Sequence, residues 1–310
     1  METARLQYIR RVNLFATDSA GSGLDLEGLR IKFKVQKNDL QTPNNAEMTI
    51  YNMAPETVQR IKKEFTRVIL QAGYDANYGV IFDGNIKQAA ESRESGTDTY
   101  LFIAAGDGDV AYNFAVVNGT LSAGSTQRDQ IDFAGVSMRQ TGGVQVGHID
   151  TIDDQPLPRG KVMYGPARDY VRQSARTAGA SWSVQDGKLQ VVKHTEILPG
   201  EAVLLNSKTG LVGQPKQTEN GIEVRCLLNP MLRIGARVKI DEKDIQRALL
   251  PATKPGEAVN TPPSISKDGV YKVIAIDHTG DTHGNDWYSN LVCIDIDETA
   301  PAGKKVKANE

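Results

Sequence analysis

The sequence predicts a mainly β fold with an α+β insert, and three observations predict it. Both outer parts of the 310-residue chain carry short apolar runs with partial two-residue alternation, separated by turn formers. The middle switches to helical spacing, with start and stop signals at each helix. Glycine is abundant at 29 residues while aromatics are 6%, a balance that favours many turns and therefore many strands.

Residues 1–122 read as a β-rich unit carrying one helix. Strands are expected at Leu6 to Phe15, Leu29 to Gln36, Ala46 to Asn52, Arg67 to Tyr74, Val80 to Ala90 and Asp98 to Ala104. Between the third and fourth lies PETVQRIKKEF. Pro55 suits the first helical position, Glu56 the positive end, and Lys62 and Lys63 the last turn. Val58, Ile61 and Phe65 share one helical face, which should pack against the sheet. A second short helix is expected over Val110 to Asn118.

Residues 123–197 form the insert, about 75 residues and small but viable as a folding unit. Thr126 caps a helix that stops at Gly142 and Gly143. A second helix begins at Pro166 and ends at Gly179. SWSVQDGKLQVV then reads as a hairpin whose Asp186–Gly187 turn suits type I′ geometry, setting Trp182 and Val184 against Leu189 and Val191. Trp182 is expected in the core. Asp153 and Asp154 read as turn formers. Residues 198–300 return to strands, interrupted between Ile240 and Asp268 by a proline-rich excursion with a short helix pattern, DIQRALL. Long loops in compact domains are usually functional, and this one reads as an arm offered to a neighbouring subunit. Residues 301–310 read as a flexible tail, and its lysines, Lys304, Lys305 and Lys307, as a solvated end.

Hydrophobic residues are 39% and charged residues 24%, as in soluble globular proteins. The net charge of −2 gives neither the basic surplus nor the basic stripe of a nucleic-acid binder. No apolar run is long enough for a transmembrane helix, and METARLQYIRR lacks the apolar centre of a secretory signal. Cys226 and Cys293 each sit in an apolar strand, as buried free thiols would.

The chemical motifs are weak. GDGDVA at 106–111 matches a dinucleotide fingerprint in letters, but Asp107 and Asp109 put negative charge where a pyrophosphate must lie. Nor does a second strand end in an acidic residue where the βαβ unit needs one. As a calcium loop it fails at Tyr112 and Asn118, where a glycine and a glutamate are required. His278 and His283, near Asp277, Asp281 and Asp286, lack the periodicity that aims metal ligands at one point and read as a polar hairpin tip. His148 and His194 are isolated in sequence. No catalytic, cofactor or metal residues are assigned, and nothing argues for catalysis.

Three segments, in order, carry a family likeness: LRIKFKVQKNDLQTPNNAEMTIYNMAPETVQRI, AAGDGDVAYNFAVVNGTLSAGST and TGLVGQPKQTENGIEVRCLLNPMLRIGARV. Together with the flanking strands, from Leu6 to Ile296, they resemble tailed-phage baseplate hub proteins, relatives of contractile-tail and type VI secretion spike hubs. The resemblance implies two tail-tube-like β-barrel domains flanking the small α/β domain. It implies a homotrimer whose six barrels form a pseudo-sixfold ring, joining the tail tube to the central spike and letting DNA pass. Implied partners are other copies of the chain, a tail tube or tube-initiator protein, a separate central spike protein, other baseplate proteins and a tape-measure protein, with no specific nucleic-acid binding and no stable membrane insertion. A separate spike is expected because the chain ends soon after its second barrel. The alternatives are a tail-associated cell-wall hydrolase and a carbohydrate-binding tail tip protein. The first lacks a recognisable nucleophile or metal cluster, and the second lacks aromatic platforms, with only Trp182 and Trp287 present.

Overall fold

A computed structural model describes residues 9–18, 21–152, 155–241, 245–247, 265–266 and 268–296. The first part of the chain runs β1 (Arg10–Thr17), β2 (Gly23–Asp25), β3 (Ile31–Asn38), β4 (Asn45–Tyr51), α1 (Pro55–Glu64), β5 (Arg67–Tyr74), β6 (Asn77–Arg93) and β7 (Thr99–Gly106). The middle runs α2 (Asp109–Phe114), β8 (Val116–Leu121), α3 (Gln127–Gly142), β9 (Gln145–Ile149), β10 (Lys161–Pro166), α4 (Ala167–Thr177), β11 (Ala180–Gln185) and β12 (Lys188–Lys193). The last part holds β13 (Val203–Leu205), β14 (Lys216–Thr218), β15 (Gly221–Leu227), β16 (Arg237–Ile240), β17 (Val270–Asp281) and β18 (Trp287–Ile294).

The expected strands form with small shifts. Leu6 to Tyr8 lie outside the described residues, as do Asp153, Asp154, the tail lysines and all of DIQRALL except Ile245–Arg247. The helix expected over Val110 to Asn118 is corrected: α2 ends at Phe114, and Val116 onward is a strand. Two adjacent valines, Val116 and Val117, favour the extended backbone, and Val117 is buried while Val116 is exposed, as strand alternation requires.

The outer parts of the chain share one 13-stranded sheet, in which β3 pairs antiparallel with β17. Two separate barrels are therefore not seen, and among the described residues no strand pairing closes a barrel. Two long strands pass from one layer to another. Up to Asn85, β6 pairs with β5; beyond it, past a bulge between Ile86 and Gln88, β6 pairs with β7 alone. Likewise β17 pairs with β16 over Val270 to Lys272 and with β3 from Ala275, past a bulge between Val273 and Ala275. Bulges bend and twist a strand, and here each turns it out of one layer into the next.

The long layer accordingly reads as two quartets, β14-β15-β18-β17 and β3-β4-β7-β6, each ending in a bulged, layer-crossing strand. The first flanking layer is β5-β1-β2; the second is shorter, with β16 and β13 pairing parallel. Alternation along β3 shows how the core is made: Ile31, Phe33 and Val35 point inward, while Lys34 and Gln36 are exposed. One cluster gathers Val35, Met48 and Ile103 from the long layer, Leu14, Val68 and Leu70 from the flanking layer, and Val58 and Ile61 from α1. A second lies within the insert around Ile131, Met138, Val171 and Trp182, and also takes Ala111, Ala115 and Val117. A third gathers Val224, Leu291 and Val238.

Trp287 stitches the two parts. It belongs to the first cluster although β18 is in the last part of the chain. Its indole N–H donates to Gly73 O at 3.3 Å, and Phe33 meets its ring edge-on, with centroids 5.4 Å apart. Gly280 stands beside this pair because a Cβ there would overlap the Phe33 ring.

Candidate assembly surfaces

The GDGDVA segment is a joint between the sheet and the insert. Asp107 is fully buried at the end of β7, and its carboxylate accepts from the backbone N–H of Asp186 (2.5 Å) and Gly187 (2.8 Å). These belong to the β11–β12 turn, where Asp186 and Gly187 both have positive φ, 52° and 73°, as a type I′ turn requires. Lys37, also buried, meets Asp186 at 2.5 Å. Asn44 donates to Val184 O and Gln185 Oε1, both at 2.9 Å. Burial first, and Asp186 second, push the Asp107 carboxyl up to about 7, against the two N–H donors and Lys37. Asp109 pairs with Lys87 at 2.9 Å, so the two aspartates of the motif point to different partners.

A second joint lies nearby. Ser181 Oγ donates to Asp39 (3.2 Å), and the ammonium of Lys272, on β17, donates to Lys193 O (3.1 Å) at the end of the hairpin. Burial lowers the Lys272 pKa and raises that of Asp39, and each charge partly offsets the other's shift. His148 pairs with Asp150 at 2.7 Å, and Asp150 also accepts from Lys193 N–H. His194 is exposed.

The hairpin-tip histidines do not converge. His278 is buried in the sheet with Nδ1 2.8 Å from Ser289 Oγ, and burial drops its pKa to about 3. His283 is exposed at the tip, 3.0 Å from Thr282 Oγ1. Asp281 is committed to Arg30 (3.0 Å) and to the His283 N–H. Among the described residues no group of three His, Cys, Asp or Glu side chains could hold a metal. Cys226 and Cys293 are free and buried, and burial pushes the Cys226 thiol up to about 12, which keeps it unreactive.

Two broader surfaces stand out. The long layer's outer face is polar and charge-balanced: Lys34 lies opposite Glu47, Lys32 opposite Asp281, and Gln36 between Asn45 and Asp277. By contrast, the two-stranded ribbon of β8 and β10 exposes Val116, Val162 and Tyr164, with Phe114 just before it. Sequence reasoning missed this ribbon, since β8 was read into the preceding helix and β10 is a short segment between Gly160 and Pro166.

The comparisons decide the family. The profile described as Baseplate hub gp41 matches residues 11–243. The chain belongs to this family of baseplate hubs. As a hub it is a structural component of a phage tail baseplate. No curated protein matches the hub's sequence. Its fold is similar to the 43 kDa tail protein of prophage MuSo2 from Shewanella oneidensis, at a TM-score of 0.59 and 9% identity over 95% of this chain and 99% of that one. It is also similar to the tail protein from Neisseria meningitidis MC58, at 0.58 and 9% over 93% and 97%. The E. coli c3393 protein is similar at 0.53 and 11% over 95% and 80%; it is described as a type VI secretion component resembling the T4 tail proteins gp27 and gp5.

Proposed function

We propose that the hub assembles as a homotrimeric, pseudo-sixfold ring that joins the tail tube to a separate central spike and lets DNA pass through its centre. In this reading residues 1–122 and 198–300 are two tail-tube-like units, residues 123–197 form the insert between them, and 301–310 follow as a tail. The observation that carries the reading is the doubled quartet in the long layer. A chain that presents the same four-strand unit twice converts threefold symmetry into six similar positions.

The outer face of the long layer is the channel wall in this account. Its lysines stand opposite carboxylates, as Lys34 does with Glu47, so no basic stripe is left to hold phosphates. The exposed apolar ribbon on the insert faces away from DNA in this account, toward protein partners such as the spike, the tube initiator, the tape-measure protein or other baseplate proteins. Negative-stain electron microscopy of the purified hub tests the reading. Threefold rings with a central pore support it, and compact single-chain particles at every concentration oppose it.

A further inference from the structure

The two quartets match strand for strand. Laying bulge on bulge makes Gln88 of β6 the counterpart of Ala275 of β17. The ladders then place Tyr100 of β7 on Tyr288 of β18, Glu47 of β4 on Glu223 of β15, and Lys34 of β3 on Lys216 of β14. In both quartets that lysine lies directly opposite that glutamate. Core positions follow suit, with Ile103 on Leu291 and Met48 on Val224, all buried.

Within the chain, the crossing strand of one quartet, β17, pairs antiparallel with the first strand of the other, β3. The second crossing strand has no such partner. Beyond Ile86, whose N–H donates to Thr66 O, β6 has β7 on one side and, among the described residues, no strand on the other. From Lys87 to Arg93 this edge contains no proline, and Ala89, Ala90 and Ser92 are small. An unpaired edge of this length is a template for another strand.

We propose that the open edge of β6 pairs with β14 of a second copy of this chain, in the register that β17 and β3 use within one copy. The inference rests on the trimeric hub reading and specifies its contact. Thr279 lies opposite Lys34 and Asp277 opposite Gln36. Their counterparts set Ser92 opposite Lys216 of the neighbouring copy, and Ala90 opposite Thr218. A hydroxyl then faces a lysine at both seams. In the single chain the edge of β14 is occupied by a strip at Gln246, whose N–H donates to Pro215 O and whose carbonyl accepts from Gln217 N–H. The neighbour's β6 uses the same main-chain groups of Pro215 and Gln217, so docking displaces the strip.

Paired cysteines test the register, since directly opposed strand residues have Cβ atoms about 4.5–5.5 Å apart. The pairs are Ser92→Cys with Lys216→Cys, and Ala90→Cys with Thr218→Cys. The offset control, Gln88→Cys with Lys216→Cys, is four residues out of register, roughly 14 Å along the strand. Mild oxidation of the full chain followed by non-reducing gels should give covalent trimers from both matched pairs, and none from the offset pair or single-cysteine variants. The native Cys226 and Cys293 are buried and do not interfere. If light scattering shows a trimer while the matched pairs stay unlinked, or the offset pair links as readily, the seam is wrong and the hub reading stands. A monomer throughout overturns both.

Discussion

Asp107 sits where burial, a neighbouring carboxylate and two backbone donors compete, and the balance raises its pKa from 3.8 to about 7. A carboxyl that binds its proton more tightly when folded contributes stability that is full below about pH 4 and lost as pH rises through 7. His278 acts in the opposite sense, since its folded pKa of about 3 lies below the ordinary 6.5, so stability falls as pH drops from 6.5 toward 3. The two trends oppose each other between pH 4 and 6.5, with the raised Asp39 acting in the sense of Asp107 and the lowered Lys272 in the sense of His278; above 6.5 His278 adds little further change. On the Asp107 shift, thermal unfolding at pH 6.5 and pH 8 should show the wild type gaining stability at the lower pH. Asp107→Asn should flatten that difference while losing one turn hydrogen bond; parallel curves for the two proteins would refute the assignment. Trp287→Ala should cost about 3–5 kcal/mol in denaturant titrations, because it empties the contact between the two parts of the chain. Gly280→Ala should cost about 1–3 kcal/mol by crowding Phe33. A neutral result for either would show that the stitch is slack.

At the scale of elements, local rules were legible where they act locally. The Thr126 cap is a reciprocal box with Asp129, the helix stops at Gly143 in the left-handed region, and the Asp186–Gly187 turn has the expected signs. Thr126→Ala should destabilise the protein by about 1 kcal/mol in urea titrations, and no change would mean that packing alone holds α3. The register Trp182 with Val191 and Val184 with Leu189 also followed from the hairpin, and Trp182 is a core residue. The β3–β17 pairing left no sequence signal, because its strands lie more than two hundred residues apart and alternation does not name a partner. Strand β8 was misread because a short apolar run after a helix fits either period. The joints were hidden for a different reason: no local pattern shows that the fold buries Asp107 against two backbone N–H groups, Lys37 against the Asp186 carboxylate and Lys272 against a backbone carbonyl.

For the whole molecule, the hub family could be read from three ordered segments, whereas the single 13-stranded sheet could not. The doubled quartet emerges only once pairing is known, since its two copies share burial pattern and a Lys–Glu pair, not a repeated sequence. The balanced outer face of the long layer, the proposed channel wall, carries a charge prediction. Wild-type hub should show no steeply salt-dependent binding to duplex DNA, while Glu47→Lys with Glu223→Lys should introduce it, with a log–log salt slope near −0.9 per phosphate newly contacted. Tight, steeply salt-dependent binding by the wild type would contradict the channel assignment. Absolute mass by light scattering behind size exclusion tests the trimeric ring itself. A homotrimer should run as a species of about 101 kDa, three times the chain mass of 33.8 kDa; a stable dimer, or a monomer at every concentration, would contradict it.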